Sequence, residues 1–341
     1  MALPINPPYL PMDALSAAAV PSGPGWQYEP KWDGFRCLAF RDGSRVEMQS
    51  KAGNALGRYF PEIVDALTEL KPARFVLDGE LVVPVMDHLS FDDLLMRIHP
   101  AASRVKKLAI ETPALYILFD LLVDDGRLLA GEPLKKRRAA LERFVRRYTG
   151  HRSRIRLSPV TSSVAEARKW FKTRTGLDGI IAKRLDALYE PGERTGAVKK
   201  IKKIRTAECV VGGFRYASRG HEVGSLLLGL YDQRKLLNHV GFTASIHHAD
   251  RSSLTKKLEN LIAAPGFTGQ APGGPSRWST RRSAEWEPLA PKLVAEVQYD
   301  HFTGGRFRHG TKFLRWRPDK APEQCTIKQV TRESRTPLPG M

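Results

Sequence analysis

Cysteine is scarce in this chain. Its three residues, Cys37, Cys209 and Cys325, lie far apart and never form a Cys-x-x-Cys pair. That spacing excludes a disulfide framework and a cysteine zinc cluster, and it suits a reducing, cytoplasmic compartment. Long apolar runs are missing too. None approaches the ~20 residues that a membrane helix needs, although hydrophobic residues make up 42% of the chain, enough for globular cores. The opening residues MALPINPPYLPMDAL show no basic segment leading into an apolar one, so no signal peptide is expected. His247-His248 could pair on a metal, but no partner ligand stands at zinc spacing, and loop histidines are expected instead. No internal repeat is visible. Acidic residues are also in deficit: Asp+Glu 36 against Lys+Arg 55 leaves a net charge of +19. A field of that sign attracts polyanions, nucleic acid foremost, while saying nothing about catalysis.

At 341 residues the chain is too long for one ordinary core, so two domains are expected. Residues 1–24 read as a Pro-rich extended arm. Residues 25–205 alternate short β-like runs with helical ones. Pro61 fits the first position of the helix PEIVDALTEL, and Ser90 fits the cap of FDDLLMRI. LYILFDLLV (Leu115–Val123) is too apolar for an edge strand. In PLKKRRAALERFVRRY, Leu134, Leu141, Val145 and Tyr148 share one helical face, and the seven Lys/Arg residues read mostly as a solvated surface. SVAEARKWFKTRTG reads as a further helix ended by Gly176. Residues 206–341 carry five β-like runs, one helix (SLTKKLENLIAA) and a Pro/Gly-rich insert, which fits a small Greek-key barrel of the OB type.

One stretch calls for a chemical reading. YEPKWDGFR (Tyr28–Arg36) sets Lys31 between a proline and a tryptophan, with Asp33, Gly34 and Arg36 following. A free lysine has a pKa near 10.4, so only about one molecule in a few thousand is neutral at pH 7. A nucleophilic lysine must lose its proton more readily, which nearby cations and partial burial promote. Arg36, Lys200 and Lys202 are candidate cations, and Gly34 would let backbone approach a nucleotide. Taken alone, the stretch reads better as a surface hairpin turning at Asp33-Gly34, since such turns are common.

The remaining motifs decide between these readings. KWDGFR resembles the KxDGxR motif of the covalent nucleotidyltransferases, which include DNA ligases, RNA ligases and capping enzymes. SKAG (Ser50–Gly53), LDGEL (Leu77–Leu81), YILFDLL (Tyr116–Leu122), DGIIAK (Asp178–Lys183), VKKIKK (Val198–Lys203) and RWRPDK (Arg315–Lys320) resemble that superfamily's other elements, in the same order. Seven ordered matches are far more specific than any one. The Glu29-Pro30 pair before the lysine, YEPGER (Tyr189–Arg194) and RTAECVVGGF resemble ATP-dependent DNA ligases, and the plan is similar to the small stand-alone bacterial C-type enzymes. The implied fold class is α+β: a nucleotidyltransferase (ATP-grasp-like ligase core) domain, then an OB-fold β-barrel.

The resemblance implies specific roles. Lys31 would attack the α-phosphorus of ATP and carry AMP as a phosphoramidate, with Asp33 grouped among the catalytic residues. Glu29 would read the adenine amino edge, Phe119 would stack on the ring, and Arg36 and Glu80 would hold the ribose hydroxyls. Lys200 and Lys202, alternating on a strand, would clamp the phosphates. Lys183 and Arg194 would also contact the nucleotide. Asp178, where most relatives carry glutamate, would bind Mg²⁺ (or Mn²⁺) together with Glu80. Lys51, where arginine is common, would grip the 5′-phosphate of a nick without the bidentate fork. Asp319 and Lys320 would reach the ATP pyrophosphate during lysine adenylylation.

Nicked duplex DNA is the expected partner of a monomeric, cytoplasmic, nucleoid-associated enzyme, with a repair primase-polymerase as a possible neighbour. An RNA ligase or capping enzyme shares the chemistry. A catalytically inactive nucleic-acid-binding protein on the same scaffold would instead have lost Lys31, Glu80 or the Lys200/Lys202 pair, and all are present.

Overall fold

The computed structural model describes residues 2–86, 88–150, 153–172, 177–273 and 285–331. The proposed end of the helix at Gly176 and part of the Pro/Gly-rich insert lie outside them. The chain divides into two units, one running through Lys203 and the next beginning at Ile204.

In chain order the first unit contains β1 (Asp13–Ser16), β2 (Trp26–Trp32), β3 (Phe35–Asp42), β4 (Arg45–Ser50), α1 (Pro61–Thr68), β5 (Arg74–Val82), α2 (Phe91–Met96) and α3 (Ala102–Glu111). It continues with β6 (Leu115–Asp124), α4 (Leu134–Tyr148), β7 (Ile155–Leu157), α5 (Val164–Lys172), β8 (Leu177–Arg184) and β9 (Arg194–Lys202). These strands build two sheets. One has the order β1-β9-β8-β2, with β1 parallel to β9 and the rest antiparallel. The other has the order β7-β6-β5-β3-β4, with the short strand Arg127–Leu128 added to β6.

KWDGFR lies where the two sheets meet. β2 is the edge of the first sheet and β3 lies inside the second, so Asp33-Gly34 is a crossover between sheets and not a hairpin tip. Gly34 has a steric reason: a Cβ there would sit 2.2 Å from the Leu81 carbonyl oxygen and 2.8 Å from Glu80 Cγ. Its close neighbour in the structure is therefore strand β5. Gly179 is constrained likewise. Its φ is +142°, and a Cβ would lie 2.0 Å from the Ile201 carbonyl oxygen.

The second sheet is covered on both faces. Phe75, Leu77 and Leu81 alternate along β5 into a core shared with Phe60, Ile63 and Leu67 near α1 and with Leu141 and Phe144 of α4. Each fully buried side chain of this kind contributes roughly 1.5–3 kcal/mol. The opposite faces of β3, β5 and β6 carry Leu38, Phe40, Val76 and Leu122, and these bury Leu3 and Met12 of the N-terminal segment. That segment is thus no free arm. Its Tyr9 backbone exchanges hydrogen bonds with the Gln49 side chain (3.0 and 2.6 Å), and Asp13–Ser16 forms strand β1. Apolar residues every second position would have been needed to announce this, and a Pro-rich sequence does not show them.

Helix α4 departs from its expected pattern. Leu134, Ala140, Leu141 and Phe144 are buried, but so are Arg137 and Arg138. Arg137 forms a two-pronged pair with Asp120 of β6 (2.9 and 3.0 Å), and Arg138 donates to the Ser158 carbonyl (2.9 Å). Two of the seven cations expected on a solvated face are therefore structural. Ser90 does cap α2, accepting from the Asp93 amide.

The second unit contains β10 (Arg205–Tyr216), β11 (Val223–Tyr231), β12 (Leu237–Thr243), α6 (Arg251–Glu259), β13 (Val294–Tyr299) and β14 (Lys312–Trp316). The antiparallel order is β12-β11-β10-β13-β14. Thr243, at the end of β12, bridges in parallel to Thr311, just before β14, which draws the two edges toward each other. Val210, Phe214, Leu226, Leu228 and Val297 fill the interior, and α6 adds Leu258.

Candidate active site

A cleft of about 230 Å³ opens between the two sheets of the first unit. The first sheet lines it with Glu29 and Lys31 of β2, Lys183 of β8 and Lys200 of β9. The second sheet supplies Arg36 of β3, Glu80 of β5 and Phe119 of β6, and Lys51 follows β4. The two-residue strand period explains the convergence. Glu29 and Lys31 share one face of β2, just as Asp78 and Glu80 share the face of β5 opposite Leu77 and Leu81.

Lys31 forms an ion pair with Asp178, which precedes the constrained Gly179 on the adjacent strand. Burial pushes the Lys31 pKa down, but the charges of Asp178, Glu80 and Asp33 outweigh it, and the net shift is upward. The expectation that neighbouring cations ease deprotonation of Lys31 is therefore reversed in this arrangement. Glu80 feels the opposite stress. Burial drives its pKa up to about 8, against the pull of Lys31 and Arg36. Burial also lowers the pKa of Lys200; Asp13 opposes that shift, and Lys51, Arg194 and Lys31 add to it.

Glu29 is buried with both oxygens engaged: Lys183 Nζ lies 2.9 Å from Oε2, and Gln27 donates to Oε1 at 2.9 Å. The Lys183 ammonium also stands 4.5 Å above the Phe119 ring centroid, and the Arg36 guanidinium lies 5.4 Å from it. A flat apolar face is thus bounded by a fixed acceptor and two cations. Arg36 is fixed in turn by two hydrogen bonds to Asp78 (3.0 and 2.6 Å), which also accepts from the Tyr189 hydroxyl (2.7 Å).

Sequence reasoning missed Gln27, Asp78 and Tyr189, which orient their neighbours, and it missed Asp13. The Asp13 carboxylate accepts from Lys51 Nζ with both oxygens (2.7 Å each) and from Arg194 (2.8 Å). Asp78 stands in LDGEL and Tyr189 opens YEPGER, so those two elements could have pointed to them. Gln27 and Asp13 come from segments that carry no motif.

Asp33, Asp178, Arg194 and Lys202 are not among the residues lining the cleft, although Asp178 touches Lys31 and Arg194 reaches Asp13. Asp319 and Lys320 belong to the second unit. There Asp319 pairs with Arg317 (2.7 Å) and Lys320 with Glu208 (2.9 Å). Asp319 is held down to about 2, chiefly by its hydrogen bonds from Arg317.

A part-buried lysine among carboxylates, an aromatic face and cations from both sheets thus converge on one cleft. The ATP dependent DNA ligase domain family matches residues 11–202, and the ATP dependent DNA ligase C terminal region matches residues 219–320. The chain belongs to the ATP-dependent DNA ligases. It is 44% identical over 348 residues to DNA ligase C2 of Mycolicibacterium smegmatis, covering 97% of this chain and 96% of that one. To the multifunctional non-homologous end joining DNA repair protein LigD of Mycobacterium tuberculosis it is 31% identical over 306 residues, or 88% of this chain and 37% of that protein. A solved Lig E DNA ligase shares the fold, with a TM-score of 0.56 at 16% identity over 89% of this chain and 99% of that one. Among the described residues no helix is long and apolar enough to cross a membrane.

Proposed function

We propose that this ligase seals nicks in duplex DNA through a Lys31–AMP intermediate and that it acts in DNA repair. The carrying observation is the convergence of Glu29, Lys31, Arg36, Glu80, Phe119, Lys183 and Lys200, drawn from separate motifs, on one cleft. The Lys31 Nζ lone pair forms a bond to the α-phosphorus of ATP as the bond to pyrophosphate breaks. AMP then passes to the 5′-phosphate of the nick, and the 3′-hydroxyl displaces it. Phe119 stacks on the adenine, and Glu29, an acceptor on both oxygens, takes a hydrogen bond from its amino group. Arg36 and Glu80 hold the ribose, and Lys200 and Lys202 meet the charge growing on the phosphates.

Asp178 pairs with Lys31 and Glu80 lines the cleft that holds Lys31, and carboxylate oxygens are the donors a hard cation takes. Asp178 and Glu80 would hold Mg²⁺ (or Mn²⁺), whose charge would offset the carboxylates that keep the Lys31 proton in place. In the second unit, Asp319 and Lys320 assist departure of pyrophosphate, and the antiparallel sheet with its Thr243–Thr311 bridge supports an OB-type barrel that contacts duplex backbone. Repair is supported by the likeness to LigD. The test is turnover on nicked duplexes with deoxy or ribo 3′ ends, alongside nicked RNA. Sealing confined to RNA would refute the DNA assignment.

A further inference from the structure

The Asp13 carboxylate sits between two cations that are remote in sequence. Lys51 follows β4 and Arg194 opens β9, yet both reach the same carboxylate, Lys51 at both oxygens and Arg194 at Oδ2. β1 holds Asp13 there: it runs parallel to β9 with Asp13 opposite Arg194, and the Asp13 amide donates to the Glu193 carbonyl (2.8 Å). Asp13 and Lys51 both line the cleft, as does Lys200, whose ionisation Asp13 also influences. Three hydrogen bonds from two cations around one oxyanion match the way a terminal phosphate is held.

We propose that Asp13 is a built-in placeholder for a substrate phosphate: its carboxylate occupies the place of that phosphate between Lys51 and Arg194, and a phosphate group must displace it. The inference rests on the phosphate-binding roles read above for Lys51 and Arg194. A tethered carboxylate carries one negative charge, whereas a terminal phosphate carries about 1.5 to 2 near pH 7. A phosphorylated end therefore wins the exchange and a hydroxyl end does not. Asp13 keeps the cations converged and excludes weaker anions, at a cost in affinity for the correct one.

The phosphate could belong to ATP or to the 5′ end of a nick, and two arms separate them. The first measures Kd for nicked duplexes with 5′-phosphate or 5′-hydroxyl ends. The second measures KM and kcat for lysine adenylylation by ATP. Asp13→Asn removes the competing charge and keeps the shape. It should tighten the 5′-phosphate duplex, or lower the KM for ATP, by roughly three- to tenfold, the scale of breaking two partly exposed ion pairs. The arm that tightens names the source, 5′-hydroxyl duplex binding stays as it was, and Asp13→Glu restores wild-type values. If thermal melting shows Asp13→Asn unfolded, Asp13→Ser reads the same arms. Unchanged or weaker binding in both arms overturns the inference and leaves Asp13 a strut. If Lys51→Ala and Arg194→Ala also leave both arms unchanged, the reading of those cations has failed instead.

Discussion

Lys31 and Asp178 face each other from neighbouring antiparallel strands, and their ion pair holds the lysine in its protonated form. Nucleophilic attack needs the neutral amine, so the contact that orders Lys31 also restrains it. Asp178→Asn removes the first-ranking charge that raises the Lys31 pKa. Lys31 should then react with an amine-selective reagent at lower pH than in the wild type, as read by mapping the labelled peptide across a pH series. An unchanged or higher midpoint would contradict this account.

Glu80 gives a pH dependence of the opposite kind. Its pKa is raised to about 8 from the usual 4.5 because burial disfavours its charge. For a carboxyl whose folded-state pKa is raised, the stabilising contribution is fully present below about 4.5 and is lost as pH rises through about 8. Glu80→Gln should flatten the melting temperature between those limits. A profile parallel to the wild type would remove Glu80 as its source.

The buried Arg137–Asp120 pair joins α4 to the strand that presents Phe119. Arg137→Ala would leave Asp120 uncompensated and should cost about 3–5 kcal/mol in urea unfolding. The double replacement Arg137→Met with Asp120→Leu should recover much of that loss. Equal instability of the single and double variants would show that the charge is not the cause.

This pair also marks the limit of what the sequence discloses. The convergence of Glu29, Lys31, Arg36, Glu80, Phe119, Lys183 and Lys200 on one cleft was legible because their motifs follow one another in the order of the family they resemble. The strands were legible because β5 and β6 alternate or saturate their apolar positions. Arg137 and Arg138 were not, since a helical arginine looks the same whether it faces water or a buried carboxylate 17 residues earlier, as Arg137 does. Asp13 was hidden for a similar reason: its partners, Lys51 and Arg194, stand 38 and 181 residues away. Nor could spacing alone reveal that Asp33-Gly34 passes between two sheets, because the turn chemistry of a hairpin is identical.

The terminal motif should affect one step only. Losing the Lys320 charge at a developing pyrophosphate should cost roughly a hundredfold in the rate of lysine adenylylation. Sealing of a preadenylylated nick should stay within severalfold of wild type in Lys320→Ala. Single-turnover kinetics on both substrates decide this, and equal losses would assign the Lys320–Glu208 pair to structure alone.

The central claim is that Lys31 carries AMP. Incubation with α-labelled ATP and a divalent cation, followed by peptide mapping, measures this directly. The account predicts one adduct, on the peptide containing Lys31. It predicts none in Lys31→Arg, whose guanidinium stays charged at any working pH, while that variant still partly seals preadenylylated nicks. An adduct on another residue, or an undiminished adduct in Lys31→Arg, would contradict it.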